Sequence, residues 1–427
     1  MKEYVIIGNG VAAAACIEGI RSTDTTAPIT VVSEENHAVY CRPLISYYLE
    51  NKTDLQKMNY RRESFYADNG CKVLYGKKAL SIDPDKKTVA LDDGRELSYT
   101  KLCVATGSSP FVPPTEGLET VKEKYSFLTL DDALALEKAV DKTKTVLVVG
   151  AGLIGLKCAE GLKDRAKNIV VCDLAPRVLS SILDDECAAP VQKHAEKAGL
   201  TFLLGNTVSK FDGNTAYMKN GEKVDFDVLV LAVGVRANVG LVKAAGGEVG
   251  RGIYVDMAMK TTLKDVYAAG DCTESYDISF GGRRVLALLP NAYLQGRTAG
   301  VNMAGGKTAF ENAVPMNSIG LFGLHMATAG SYFNKDMGGS SYEYKTETGV
   351  KRLYVKDGYL SGFILLGDVD GAGIYTSLVR NKIPLSEIDF EAVCKTPQLA
   401  AFSVNYRTKV LGGEVCTSAQ KIWIFRN

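Results

Sequence analysis

Residues 147–162 read LVVGAGLIGLKCAEGL and residues 4–19 read YVIIGNGVAAAACIEG, and these two stretches decide the fold. Each runs from a short β-branched segment through a glycine turn into a helix-forming segment. In GNGVAA, Gly8 permits the tight turn, Gly10 lets a pyrophosphate approach the backbone, and Ala13 takes the close-packing position; Asn9, Val11 and Ala12 complete the turn. In the second stretch Gly150, Gly152 and Gly155 form the full pattern, with Leu153 and Ile154 between them. Each helix start offers unpaired N–H groups and the positive end of a dipole to a phosphate. The strand that follows the first helix (PITVVSE, 28–34) ends at Glu34, next to Glu35; the one that follows the second (NIVVCD, 168–173) ends at Asp173. A carboxylate there accepts ribose hydroxyls and repels a 2′-phosphate, so the second unit is expected to prefer NADH to NADPH. Arg177 either partners a 2′-phosphate or faces solvent, and the solvated reading is favoured.

The 427-residue chain is long enough for two or three domains. Its 46% hydrophobic and 23% charged content is that of a globular protein. A formal net charge of +1 gives no argument for nucleic acid or membrane partners. A β-like run begins by residue 3 and no apolar run spans a bilayer, so a cytoplasmic location is expected. The ten cysteines are scattered, the nearest pair (Cys158 and Cys172) fourteen apart, which leaves no CxxC and no metal site. The expected fold class is α/β, with two Rossmann-like dinucleotide-binding domains and a smaller C-terminal α+β domain. The Pro-rich TGSSPFVPPTEG (106–117) marks a crossing between halves. Residues 1–112 and 238–310 are read as two parts of one nucleotide domain, 113–237 as the second, and 311–427 as a cap. The cap is expected to hold β-like runs and a helix around 370–381.

Together with ATG (Ala105, Thr106, Gly107), AVG (232–234, ending at Gly234) and AAGD (268–271, ending at Gly270 and Asp271), the two units resemble the flavoproteins with two dinucleotide-binding domains. The resemblance implies FAD on the first grip and NAD(H) on the second, so that flavin and nicotinamide rings stack. It also implies that the Thr106–Gly107 turn closes near FAD and that Asp271 bonds its ribityl chain or pyrophosphate. VYCRPLISYYL (39–49) is similar to a segment of rubredoxin and ferredoxin reductases and nitrite-reductase flavin modules. By that similarity Arg42 pairs with FAD phosphate and Pro43 approaches the flavin. LLPNAYLQGRTAG (288–300) also resembles a family segment, which implies that Leu289 and Pro290 start a helix beneath the flavin; the same resemblance implies that the Ala79 backbone lies at the adenine.

The departures carry as much weight. Disulfide-reductase branches need a CxxxxC pair and a C-terminal His-Glu base, and neither is present. NADH oxidases and coenzyme A disulfide reductases use one cysteine that would fall on Pro43, two residues beyond Cys41. Cys41 is therefore read as a packed thiol, with a redox role as the rival. Lys157 stands where many relatives carry Glu; it either places a positive charge near the flavin–nicotinamide stack or snorkels to solvent, paired with Glu160. Hydride transfer needs positioning and no nucleophile. Lys157 and Pro43 are thus the only candidates placed at the reacting rings.

The resulting expectation is an FAD-dependent NADH:acceptor oxidoreductase. It exchanges electrons with a small iron–sulfur protein, rubredoxin or ferredoxin, and a homodimer is its candidate assembly. One alternative is an NADH oxidase or coenzyme A disulfide reductase using Cys41; another is an NADH-sensing flavoprotein with an interaction role. NSIGLFGL (317–324) is expected to border the outer flavin face. Arg61–Arg62, Arg283–Arg284, and Arg380 with Lys382 are candidate basic patches for an acidic carrier, with ordinary solvated pairs as the plainer reading. Residues 402–427, which include Trp423, are read as packing.

Overall fold

The computed structural model describes residues 2–331, 339–347 and 349–411. Of the 402–427 stretch read as packing, residues 412–427, Trp423 among them, lie outside the described residues. The chain divides into two compact units, one of residues 1–313 and 321–324, the other of 314–320 and the residues from 325 on.

The first unit is built on two five-stranded parallel sheets. In the first, the order is 266–268, 101–104, 4–7, 29–33, 71–75. Ile6 pairs with Val31 on one side and Cys103 on the other. These strands carry β-branched residues on both faces because helices and small sheets cover both, and Val5, Ile6, Val31 and Cys103 are fully buried. The second sheet has the order 200–204, 168–173, 145–149, 228–231, 124–125. Each central strand leads into its glycine turn. The chain passes between the sheets along Ser108–Pro110 and Val235–Ala237, which pair antiparallel.

The Val11–Arg21 helix forms from an alanine run with high helix propensity and buries Ala12 to Ile17. It lies against the Leu289–Met303 helix at very short range. Gly296 and Gly300 face the carbonyl oxygens of Ala12 and Cys16, and Gly19 faces that of Arg297. A short helix, Ile45–Leu49, packs on the Leu153–Leu162 helix, where Gly161 meets Ser46 and Leu49.

The second unit holds a five-stranded sheet in the order 316–321, 324–330, 359–366, 350–356, 340–345. Strand 359–366 pairs antiparallel with both 324–330 and 350–356, and 350–356 pairs antiparallel with 340–345. The helix expected around 370–381 is Ala372–Arg380, anchored by fully buried Tyr375, whose hydroxyl donates to the Val393 carbonyl at 2.6 Å. Among the described residues, no helix is long and apolar enough to cross a membrane, and no group of His, Cys, Asp and Glu could hold a metal ion.

Candidate functional site

The two glycine turns are built alike. Gly8 and Gly150 have φ of +109° and +118°, a region open to glycine at little cost. Their N–H groups bond across to Val32 and Cys172. A Cβ on Gly8 would meet the Ala105 carbonyl oxygen at 2.1 Å, and one on Gly150 would meet that of Ala232 at 2.3 Å. Thus the ATG and AVG segments back the first glycine of each turn.

Gly10 and Gly152 are the N-caps of the Val11–Arg21 and Leu153–Leu162 helices, and no side chain caps either end. A Cβ on either would meet nothing within 4 Å, so open space lies over both helix starts. Gly155 packs against the Gly150 carbonyl oxygen, leaving no room for a side chain. Ala13, its counterpart, is fully buried. These are cradles a phosphate pair fits, with the dipole and N–H groups to hold it.

Around the first turn, Asn9 accepts from the Tyr66 hydroxyl at 2.6 Å and donates to the His37 carbonyl. Glu34 is exposed and pairs with Lys78 at 3.0 Å, which brings it beside Ala79. Glu35 is committed elsewhere: it pairs with Arg42 and accepts from the Tyr40 hydroxyl at 2.7 Å. Arg42 also donates to the Leu128 carbonyl at 3.2 Å. Pro43 lies in the one-turn helix Arg42–Leu44.

Thr106 and Gly107 (φ +63°) are held by a residue that the motif reading assigns no role, Asn238. Its amide donates to the Thr106 carbonyl at 2.8 Å, its backbone N–H donates to Gly107, and its carbonyl accepts from the Thr106 hydroxyl at 2.9 Å. Gln295, 2% exposed, does the same for the Gly270 turn, accepting its N–H at 2.8 Å. Neither residue has a motif signal; each is found only by following the backbone N–H groups.

Gly270 approaches Ala12 and Ala292, so the AAGD turn lies at the starts of both helices, next to Leu289 and Pro290. Asp271 is half-buried, and none of the described residues donates a hydrogen bond to its carboxylate. Desolvation pushes its pKa up, and the Arg42 charge partly offsets this. An aimed carboxylate lacking donors fits hydroxyl groups of a bound ligand.

In the second turn, Asp173 accepts from the Ala151 N–H at 2.6 Å and from the Ala175 N–H at 2.8 Å, one per oxygen. Arg177 is drawn away: it pairs with Asp185 at 2.9 Å and donates to the Leu183 carbonyl. Gly234 (φ +108°) accepts from the Phe111 N–H at the crossing. Leu153 and Ile154 form the first helical turn. Lys157 pairs with buried Glu160, and its ammonium lies 4.5 Å from the centre of the Tyr47 ring. Cys41 is half-buried, and burial raises its pKa above the ordinary thiol value.

Two parallel-sheet nucleotide folds with paired phosphate cradles define a dinucleotide-dependent redox protein. A family model described as Pyridine nucleotide-disulphide oxidoreductase matches residues 2–296, and the chain belongs to that family. It is an FAD- and NAD(P)H-dependent oxidoreductase, and the residues above fit both groups. The chain is 33% identical over 398 residues to the NADH-dependent phenylglyoxylate dehydrogenase subunit epsilon of Aromatoleum evansii, covering 90% of this chain and 93% of that one. It is 31% identical over 390 residues to the Assimilatory nitrate reductase electron transfer subunit of Bacillus subtilis strain 168, covering 89% of this chain but only 50% of that protein. In fold it is similar to the crystal structure of the covalent putidaredoxin reductase–putidaredoxin complex, with a TM-score of 0.84, 20% identity, and coverage of 97% and 99%.

Proposed function

We propose that this chain carries electrons between NAD(H) and a small iron–sulfur protein, rubredoxin or ferredoxin. The observation that supports it most directly is the pairing of two nucleotide cradles with a half-buried, high-pKa Cys41 in place of a reactive thiol. A redox cysteine works as a thiolate, stabilised by cations or helix ends. Here burial strips water from Cys41 and opposes its ionisation. That argues against the NADH oxidase and coenzyme A disulfide reductase readings.

FAD, when bound, accepts a hydride and gives up electrons one at a time. The chain's own part is positioning. In this reading Gly8–Ala13 and the Leu289 helix start hold the FAD phosphates and ring. Glu34 and Ala79 take the adenosine, and Asp271 takes ribityl hydroxyls. Gly150–Gly155 and Asp173 hold NADH in preference to NADPH. Asn238 and Gln295 keep the two FAD-side turns in register.

Three of the basic side chains considered as carrier patches are already paired. Arg61 pairs with Glu18 at 2.6 Å, Arg62 with Asp68 at 2.8 Å and Arg284 with Asp277 at 3.4 Å. A carrier would therefore dock by shape and local pairing more than by long-range attraction. A second reading makes the partner a fixed subunit of a larger enzyme, because the Aromatoleum relative is by name a subunit and the Bacillus relative by name an electron transfer subunit. Steady-state NADH oxidation with rubredoxin, ferredoxin, oxygen and coenzyme A disulfide as acceptors tests the proposal. Turnover with an iron–sulfur protein at least tenfold above the others supports it; turnover confined to oxygen or the disulfide overturns it.

A further inference from the structure

Glu160 is 4% exposed, and both oxygens of its carboxylate are engaged. One pairs with the Lys157 ammonium, and the other accepts the N–H of Phe322. The Phe322 carbonyl in turn accepts from His194 at 2.8 Å. Phe322 has a φ of +50° and is followed by Gly323 at +88°, so the 321–324 turn is held in a conformation a phenylalanine rarely adopts. Such a conformation persists only where the surroundings impose it, and here the two hydrogen bonds do so from the Leu153–Leu162 and Asp185–Lys197 helices. At the other end, Lys157 lies over Tyr47, four residues beyond Pro43. Lys52 lies over the same ring at 5.8 Å and is paired with Glu50.

We propose that Glu160 is a positioning residue of the redox centre: its carboxylate masks the charge of Lys157 and, through the same group, fixes the Phe322 turn. The inference rests on the reading that places Pro43 and Lys157 beside the flavin and nicotinamide. It resolves the choice between a charged and a snorkelling Lys157 in a third way. The Lys157 side chain is 18% exposed, its ammonium lies over the Tyr47 ring, and an adjacent buried carboxylate offsets its charge. A charge pair at short range is felt by a nearby redox group as a weak dipole, whereas either member alone is felt as a full charge. Removing the negative member should make the flavin easier to reduce, and removing the positive member should make it harder.

The test uses the FAD-loaded protein and two variants. In Glu160→Gln the amide oxygen keeps an acceptor for the Phe322 N–H while the charge is lost; in Lys157→Met the opposite charge is lost. The midpoint potential of the bound flavin, measured by anaerobic dye titration, is expected to move positive in Glu160→Gln and negative in Lys157→Met. Hydrogen exchange at the Phe322 amide is expected to stay slow in Glu160→Gln and to quicken at least tenfold in Glu160→Ala. Potentials unchanged in both charge variants, or moved in the same direction, overturn the masking role. Unchanged exchange in Glu160→Ala overturns the hold on the turn. If either charge variant does not retain FAD, the sign of the shift in the other still decides. A wild-type protein whose flavin NADH does not reduce would count against the oxidoreductase reading itself, a failure separate from these.

Discussion

The carbonyl oxygen of Ala12 occupies the place a side chain on Gly296 would need, 2.1 Å from its Cβ position. One backbone therefore closes on another where the helix that begins at the first phosphate cradle crosses the helix expected beneath the flavin. Gly300, one turn on, makes the same approach to Cys16. Gly296→Ala has to push the two helices apart. Overpacking of this kind costs about 1–3 kcal/mol. The expected outcome is a lower melting temperature together with FAD lost on gel filtration; a variant with unchanged melting and full flavin content contradicts this account of the helix pair.

Asp173 uses one oxygen for Ala151 and the other for Ala175, both backbone donors. Each oxygen keeps a second lone pair for a ribose hydroxyl. Asp173→Ala removes charge-assisted hydrogen bonds worth about 1.5–3 kcal/mol each. Because it also removes the group that repels a 2′-phosphate, kcat/KM for NADH should fall about tenfold or more while that for NADPH falls less. The ratio of the two, measured by flavin reduction, checks it.

Asp271 presents a trade between stability and binding. Its folded pKa is raised above the ordinary carboxylate value of 3.8 by desolvation. A raised carboxylate pKa means the folded state binds the proton more tightly. The group costs nothing below the unfolded value; its penalty builds as pH rises from the unfolded to the folded value and is full above the folded one. At neutral pH, Asp271→Asn is expected to leave the apoprotein as stable or more stable by thermal melting, and to weaken FAD binding at least tenfold. A variant that loses stability while binding FAD normally would assign Asp271 a structural role instead.

Cys41 should behave as an unreactive thiol. Its pKa is raised from 9.0 by burial, so its rate of alkylation is expected to be still rising at pH 9. Cys41→Ser should change acceptor turnover by less than about twofold, since no step passes through the sulfur. A plateau in alkylation near neutral pH would show a stabilised thiolate and reopen the disulfide chemistry.

Much of this was legible in the chain. Gly8, Gly10, Gly150, Gly152 and Gly155 announce themselves because only glycine serves those turns, and the strands around them follow from β-branched runs. The ATG and AVG segments were legible as motifs, but not the reason for them: Ala105 and Ala232 each seal a glycine turn by backbone contact. Asn238 and Gln295 were not legible, since their work is to satisfy N–H and C=O groups brought close only by folding. Arg42 and Arg177 show the same limit. The resemblance implies a phosphate partner for Arg42 and the solvated reading is favoured for Arg177, whereas in the fold Glu35 and Asp185 pair with them. The hold of Glu160 on Phe322 spans 162 positions and has no local pattern at all.

The most direct test of the central claim is an anaerobic stopped-flow experiment in two mixes. NADH is added first to reduce the bound flavin, and oxidised rubredoxin, ferredoxin or coenzyme A disulfide is added second, with wild type and Cys41→Ser in parallel. The account predicts rapid flavin reoxidation by an iron–sulfur protein, equal in the two proteins. Reoxidation by the disulfide alone, abolished in Cys41→Ser, would contradict it.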